Sequence, residues 1–113
     1  MTVKRTPGNP GRSATVEANG IIQLVGTSAD KTLGMKGQTQ KALARIDELL
    51  ASVGCSKSNI LSILVYIDDM SKWSEMNDAW MAWVDPKNCP SRACVQVTML
   101  PSLHVEMFVT AAR

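Results

Sequence analysis

The segment best suited to chemistry is Cys89-Pro90-Ser91-Arg92-Ala93-Cys94-Val95-Gln96-Val97. A proline turn runs into an alternating strand. Arg92, Cys94 and Gln96 share one face, and Ala93, Val95 and Val97 share the other. A guanidinium fixed at a strand start is a rigid fork for a planar anion, above all a carboxylate. A lone arginine at a strand end is also a common surface feature, so the spacing alone leaves both roles open. Asp68-Asp69 invites a metal or acid/base role, but no third carboxylate or histidine lies near it in sequence. The pair reads as a solvated strand end beside a helix N-terminus. With one histidine, His104, and no Cys/His cluster, no zinc site is expected. The cysteines at 55, 89 and 94 are odd in number and form no C-x-x-C pair. Free thiols in a reducing compartment follow.

These groups need elements to hold them. Residues 1–12 contain Pro7, Gly8, Pro10 and Gly11 and read as an irregular N-terminal arm. A weak strand over Ser13 to Ala18 and a second from Ile21 to Val25 flank Asn19-Gly20, a strong hairpin signal because both residues tolerate positive φ. Gly26 ends the second strand. From Gly37 the apolar period becomes helical, with Ala42, Leu43, Ile46, Leu49, Leu50 and Val53 on one stripe and Gly54 as the stop. Ser56 is a candidate cap for one short turn. Ile60 to Ile67 reads as a buried strand, parallel to the second strand through a right-handed crossover. Ser71 is a candidate N-cap for a second helix striped by Met76, Ala79, Trp80 and Trp83, with Asn77 one position off the stripe. Trp73, Trp80 and Trp83 read as core and interface packing, because base-stacking platforms need interleaved basic residues. The strand of Arg92 follows. After a turn at Leu100 to Leu103, a last strand places Val105, Met107, Val109 and Ala111 on one face. His104, Glu106, Phe108 and Thr110 take the other.

The order β-β-α-β-α-β-β predicts an α+β fold, with both helices on one face of a mixed sheet. The opposite face then stays uncovered although part of it is apolar, which predicts a symmetric oligomer. The 113-residue length suits one domain over residues 13–113. A net charge of +2 without a concentrated basic patch argues against nucleic acid. No apolar run reaches the ~20 residues of a membrane span. Nothing resembles a signal peptide, so a cytoplasmic location is expected, with organellar import left open.

Several stretches together resemble the RidA (YjgF-type) family of reactive-intermediate/imine deaminases. They are Asn19-Gly20-Ile21-Ile22 before Gly26; Gln38-Thr39 at a helix start; Val65-Tyr66-Ile67-Asp68-Asp69; Met76-Asn77-Asp78-Ala79-Trp80; Cys89 to Val95; and Leu100-Pro101 before Val105-Glu106-Met107. The match spans residues 13–113, and P-x-R-x-C-V with its downstream V-E is its specific part. The resemblance implies a Bacillus chorismate mutase-like fold in which the last two strands are not neighbours. It also implies a homotrimer with clefts between subunits, and hydrolysis of 2-imino or 2-enamino acids to 2-oxo acids and ammonia without a cofactor. Residue by residue, it implies that Arg92 grips the substrate carboxylate and Glu106 positions the attacking water. Gly26, Asn77 and Cys94 would line the cleft. The chain departs from the family pattern at Val25-Gly26-Thr27, at Phe108, in lacking an N-terminal tyrosine, and in its tryptophan-rich second helix; it reads as a divergent subgroup. The alternative is a non-catalytic trimer that binds small carboxylates. For a ribonuclease, the sequence offers no basic patch and no paired His or His/Lys site.

Overall fold

The computed structural model describes residues 1–113. Its strands are β1 (Lys4–Pro7), β2 (Ser13–Ala18), β3 (Ile21–Thr27), β4 (Ile60–Ile67), β5 (Ser91–Gln96) and β6 (Val105–Ala112). Its helices are α1 (Met35–Ser52) and α2 (Trp73–Trp83), with single 3-10 turns at Lys57–Asn59 and Met70–Lys72. The strands form one mixed sheet in the order β1-β2-β3-β6-β4-β5. The fold is α+β, as the order of elements predicts.

Local chemistry explains most of the boundaries. Asn19 (φ 52°) and Gly20 (φ 76°) make the tight turn between β2 and β3. Gly54 (φ 77°) ends α1: its amide donates to Ala51 O, and Cys55 N donates to Leu50 O at 2.9 Å. That pair of bonds is a Schellman stop. At the short turn after it, Ser56 N donates to Asn59 Oδ1 at 3.0 Å. Ser71 is not the cap of α2. Asp69 caps the preceding 3-10 turn, accepting from Ser71 N at 2.9 Å and Ser71 Oγ at 2.6 Å. Those two bonds hold the Asp69 carboxyl below the usual carboxylate range.

The N-terminal arm departs from expectation. Residues 4–7 are not irregular but form an edge strand antiparallel to β2, with Thr6 Oγ1 and Thr15 Oγ1 2.8 Å apart. Lys4–Pro7 has no apolar alternation, so its order comes from the ladder that the β2 edge offers. Pro7, which lacks an N–H, is tolerated there. The two crossover strands, β3 and β4, do run parallel, but β6 lies between them, antiparallel to both. β5 pairs only with β4, in parallel, so β5 and β6 are not neighbours.

Both helices pack on one face of the sheet. Ile22 and Leu24 of β3, Ile63, Val65 and Ile67 of β4, and Val105, Met107, Val109 and Ala111 of β6 meet Leu43, Ile46 and Leu50 of α1 and Met76 and Trp80 of α2 in a single core. The other face keeps Ile21, Val25, Val95 and Phe108 exposed, each by 38% or more. Arg113 ties the rim together. Its guanidinium donates to both Glu17 oxygens, at 2.9 and 3.0 Å, and to Val53 O at 2.6 Å. No helix is long and apolar enough to cross a membrane.

Candidate functional site

Arg92 stands at the second position of β5, level with Ile63 of the buried β4 face. Its side chain therefore lies under α2. One guanidinium N–H donates to Asn77 Oδ1 at 2.9 Å. The ring centroids of Trp80 and Trp73 lie 4.8 and 5.6 Å from the guanidinium carbon. Trp73, Asn77 and Trp80 are spaced by four and three residues, which puts them on one face of α2. Each ring attracts the cation by about 0.5–2 kcal/mol. Trp80 is nearly buried while Trp73 is 37% exposed, so one ring fixes the guanidinium and the other borders its opening. Arg92 forms no ion pair with any carboxylate of the chain. Asn77 takes one of its five N–H donors, and the others stay free for an anion.

Cys94 sits two residues along β5 on the same face, half-buried against the core cluster. Burial raises its thiol above 9.0, and the Arg92 charge offsets only part of that. The group is a neutral thiol near neutral pH, suited to lining a site and not to thiolate attack.

Glu106 and Gly26 stand elsewhere. Glu106 pairs with Tyr66 of β4 and Thr27 of β3, on the open face of the sheet. It borders a recess of about 580 Å³ with Tyr66, Met99, Leu100, Pro101 and Leu103. Arg92 lies on the opposite face, two strands away, a lateral offset of roughly 10 Å. Within one chain, then, Arg92, Asn77 and Cys94 come together, and Glu106 does not join them. Gly26 points toward α1. A Cβ there would stand 2.5 Å from Ile46 Cγ1 and 2.8 Å from Ala42 O. Close packing of α1 on β3 by itself requires glycine at this position.

Two features were not legible in the sequence as read. Trp80 walls the arginine as well as filling the core, and Trp73, expected as packing, walls the arginine without joining the core; their spacing around Asn77 is the signal that could have shown it. Asp68 is not a freely solvated strand end. Its Oδ2 lies 2.8 Å from His104 Nδ1, and Asp68 N donates to His104 O at 3.1 Å. The partners are 36 residues apart, and only the β4–β6 register joins them.

Residues 10–113 match the family model described as Endoribonuclease L-PSP. A RutC family protein of Haemophilus ducreyi is 40% identical over 96 residues, covering 83% of this chain and 82% of the relative. The RutC family protein YoaB of Escherichia coli is 32% identical over 113 residues, covering 99% of each. A solved structure of a YjgF family member from Neisseria meningitidis superposes with a TM-score of 0.92 at 35% identity, over 100% of this chain and 96% of that one. RidA from the Antarctic bacterium Psychrobacter sp., 21% identical over 100% of this chain and 99% of its own, shares the fold at a TM-score of 0.82. The family-like segment around Arg92 and the shared fold agree over nearly the whole length: the chain belongs to the RutC/YjgF/RidA family.

Proposed function

We propose that the protein hydrolyses reactive 2-imino or 2-enamino acids to 2-oxo acids and ammonia, in clefts between the subunits of a homotrimer and without a cofactor. One observation carries this reading: a fixed guanidinium, walled by Trp73 and Trp80 and held by Asn77, that has no carboxylate partner of its own. A substrate carboxylate completes it as a bidentate pair and is thereby oriented. Glu106 is the group suited to hold the attacking water and take its proton. The imine carbon is already electrophilic, so positioning supplies most of what the reaction needs.

Arg92 and Glu106 lie on opposite faces of one sheet, so a cleft that uses both takes them from different chains. The exposed apolar residues Ile21, Val25, Val95 and Phe108 on the Glu106 face suit burial against another copy. The second reading, a trimer that only binds small carboxylates, shares the Arg92 pocket and lacks the water-holding step.

Ammonia release from a freshly generated 2-imino acid separates the two. Arg92→Ala is expected to lower kcat/KM by about 10²-fold or more. Glu106→Ala is expected to keep 2-oxo acid binding and lose turnover. Equal rates for wild type and Arg92→Ala would end the enzyme reading.

A further inference from the structure

The Asp68–His104 pair is not used by the reaction as described above. Both side chains are about one-third exposed, so the pair is reachable from solvent. Its geometry is firmly held. His104 N donates at 2.8 Å to Oε1 of Gln38, which is fully buried; the Gln38 amide donates in turn to Ser102 O at 2.7 Å and Leu33 O at 3.1 Å. A carboxylate only accepts, so contact with Asp68 Oδ2 places a proton on His104 Nδ1 and leaves Nε2 as the exchanging nitrogen. The other carboxylate oxygen, Asp68 Oδ1, is buried and has no hydrogen-bond partner in the chain.

The pair adjoins Glu106. The register Tyr66↔Glu106 and Ile67↔Val105 continues to Asp68 opposite His104. His104 and Glu106 therefore share the open face of one strand, two residues or roughly 7 Å apart. Asp68 borders a recess of about 410 Å³, and Glu106 borders the one of about 580 Å³; the two share Val97, Thr98 and Met99 as walls. The titratable and charged groups around the His104 ring are thus Asp68 just after β4, Tyr66 of β4 and Glu106 of β6. The neutral Gln38 comes from α1.

We propose that Asp68 and His104 form a proton-transfer dyad that works beside Glu106, with His104 protonating the departing nitrogen. This rests on the deaminase reading above. Imine hydrolysis moves protons at two atoms bonded to one carbon. Water attacks the iminium carbon, a C–O bond forms, the C=N π pair moves to nitrogen, and Glu106 takes the water proton. The resulting amine leaves only when protonated. Imidazolium Nε2–H gives it that proton, the C–N bond breaks as the hydroxyl oxygen forms C=O, and the hydroxyl proton returns to Nε2. Ammonia, the 2-oxo acid and the proton on Glu106 are then released, and the dyad is reset. Asp68 stabilises the imidazolium and orients the ring.

The test uses the full chain, a freshly generated 2-imino acid and the matching 2-oxo acid as binding probe. His104→Gln is expected to lower kcat by about 10²-fold and leave 2-oxo acid affinity within about twofold. Asp68→Asn is expected to lower kcat in the same direction by about 10-fold, with the thermal midpoint reporting that it folds. The chain has a single histidine, so its imidazole ¹⁵N resonances report on this ring alone. They are expected to shift when the 2-oxo acid binds. Wild-type turnover with His104→Gln at full rate and unmoved ring resonances overturns the dyad and spares the deaminase. A wild type that releases no ammonia overturns both.

Discussion

The two faces of the sheet present their polar groups in different states of completion. Under the helices, Arg92 is finished as a structural object: its hydrogen bond to Asn77 and its two tryptophan rings all come from α2 of the same chain. On the open face, the Glu106 side chain has no hydrogen-bond or salt-bridge partner in the chain, and Phe108, Val25 and Val95 of the same face are exposed. The covered face pre-organises a cation. The open face offers a carboxylate, the Asp68–His104 pair and apolar surface that another copy can cover. Neither face alone holds both halves of the proposed chemistry.

The largest effect comes from asking whether the two faces must belong to different chains. Arg92→Ala and Glu106→Ala are each expected to be nearly inactive alone. Co-refolded together, they are expected to regain about a quarter of wild-type turnover, since random assembly of a symmetric trimer leaves that share of clefts with both residues intact. No recovery, or a structure with both residues of one chain around one ligand, breaks the comparison.

Gly26 sharpens it on the covered face. Gly26→Ala is expected to cost about 1–3 kcal/mol in chemical denaturation, because Ile46 and the Ala42 carbonyl cannot both withdraw from the new methyl. An unchanged denaturation midpoint with lost activity would instead make Gly26 a ligand-contact residue first.

The smallest expected effect lies at the rim. Arg113 holds the Glu17 carboxyl below its ordinary value of 4.5, chiefly through their hydrogen bonds. A carboxyl depressed in the folded state adds stability that is present above the unfolded value and is lost as pH falls through the folded one. Thermal midpoints measured from pH 6 down to 3 are expected to fall, and to fall less steeply in Arg113→Ala. Identical slopes would remove the rim pair from the account.

The local signals were legible because their physics is local. Asn19-Gly20, Gly54 and the stripe from Ala42 to Leu50 depend on residues within a few positions of each other. The alternation of Arg92, Cys94 and Gln96 against Ala93 and Val95, and of Val105 to Ala111 against Glu106 and Phe108, was equally direct. Edge strand β1 was not legible, because its order comes from a neighbouring ladder and not from its own side chains. Nor was the Asp68–His104 pair, because Asp68 closes one strand and His104 precedes another.

The sequence by itself determined the α+β class, the family, the two helix faces and the candidate residues Arg92, Asn77, Cys94, Gly26 and Glu106. Periodicity encodes the class and the helix faces, and the family resemblance of the short motifs supplies the family and the candidate residues. Tertiary structure alone decided which of these residues meet. Placing β6 between β3 and β4 sets Glu106 beside Tyr66 and the Asp68–His104 pair. Pairing β5 outside β4 turns Arg92 under α2, between two tryptophans. Strand order is settled by the burial of a whole face, a sum over many distant residues that no short stretch contains.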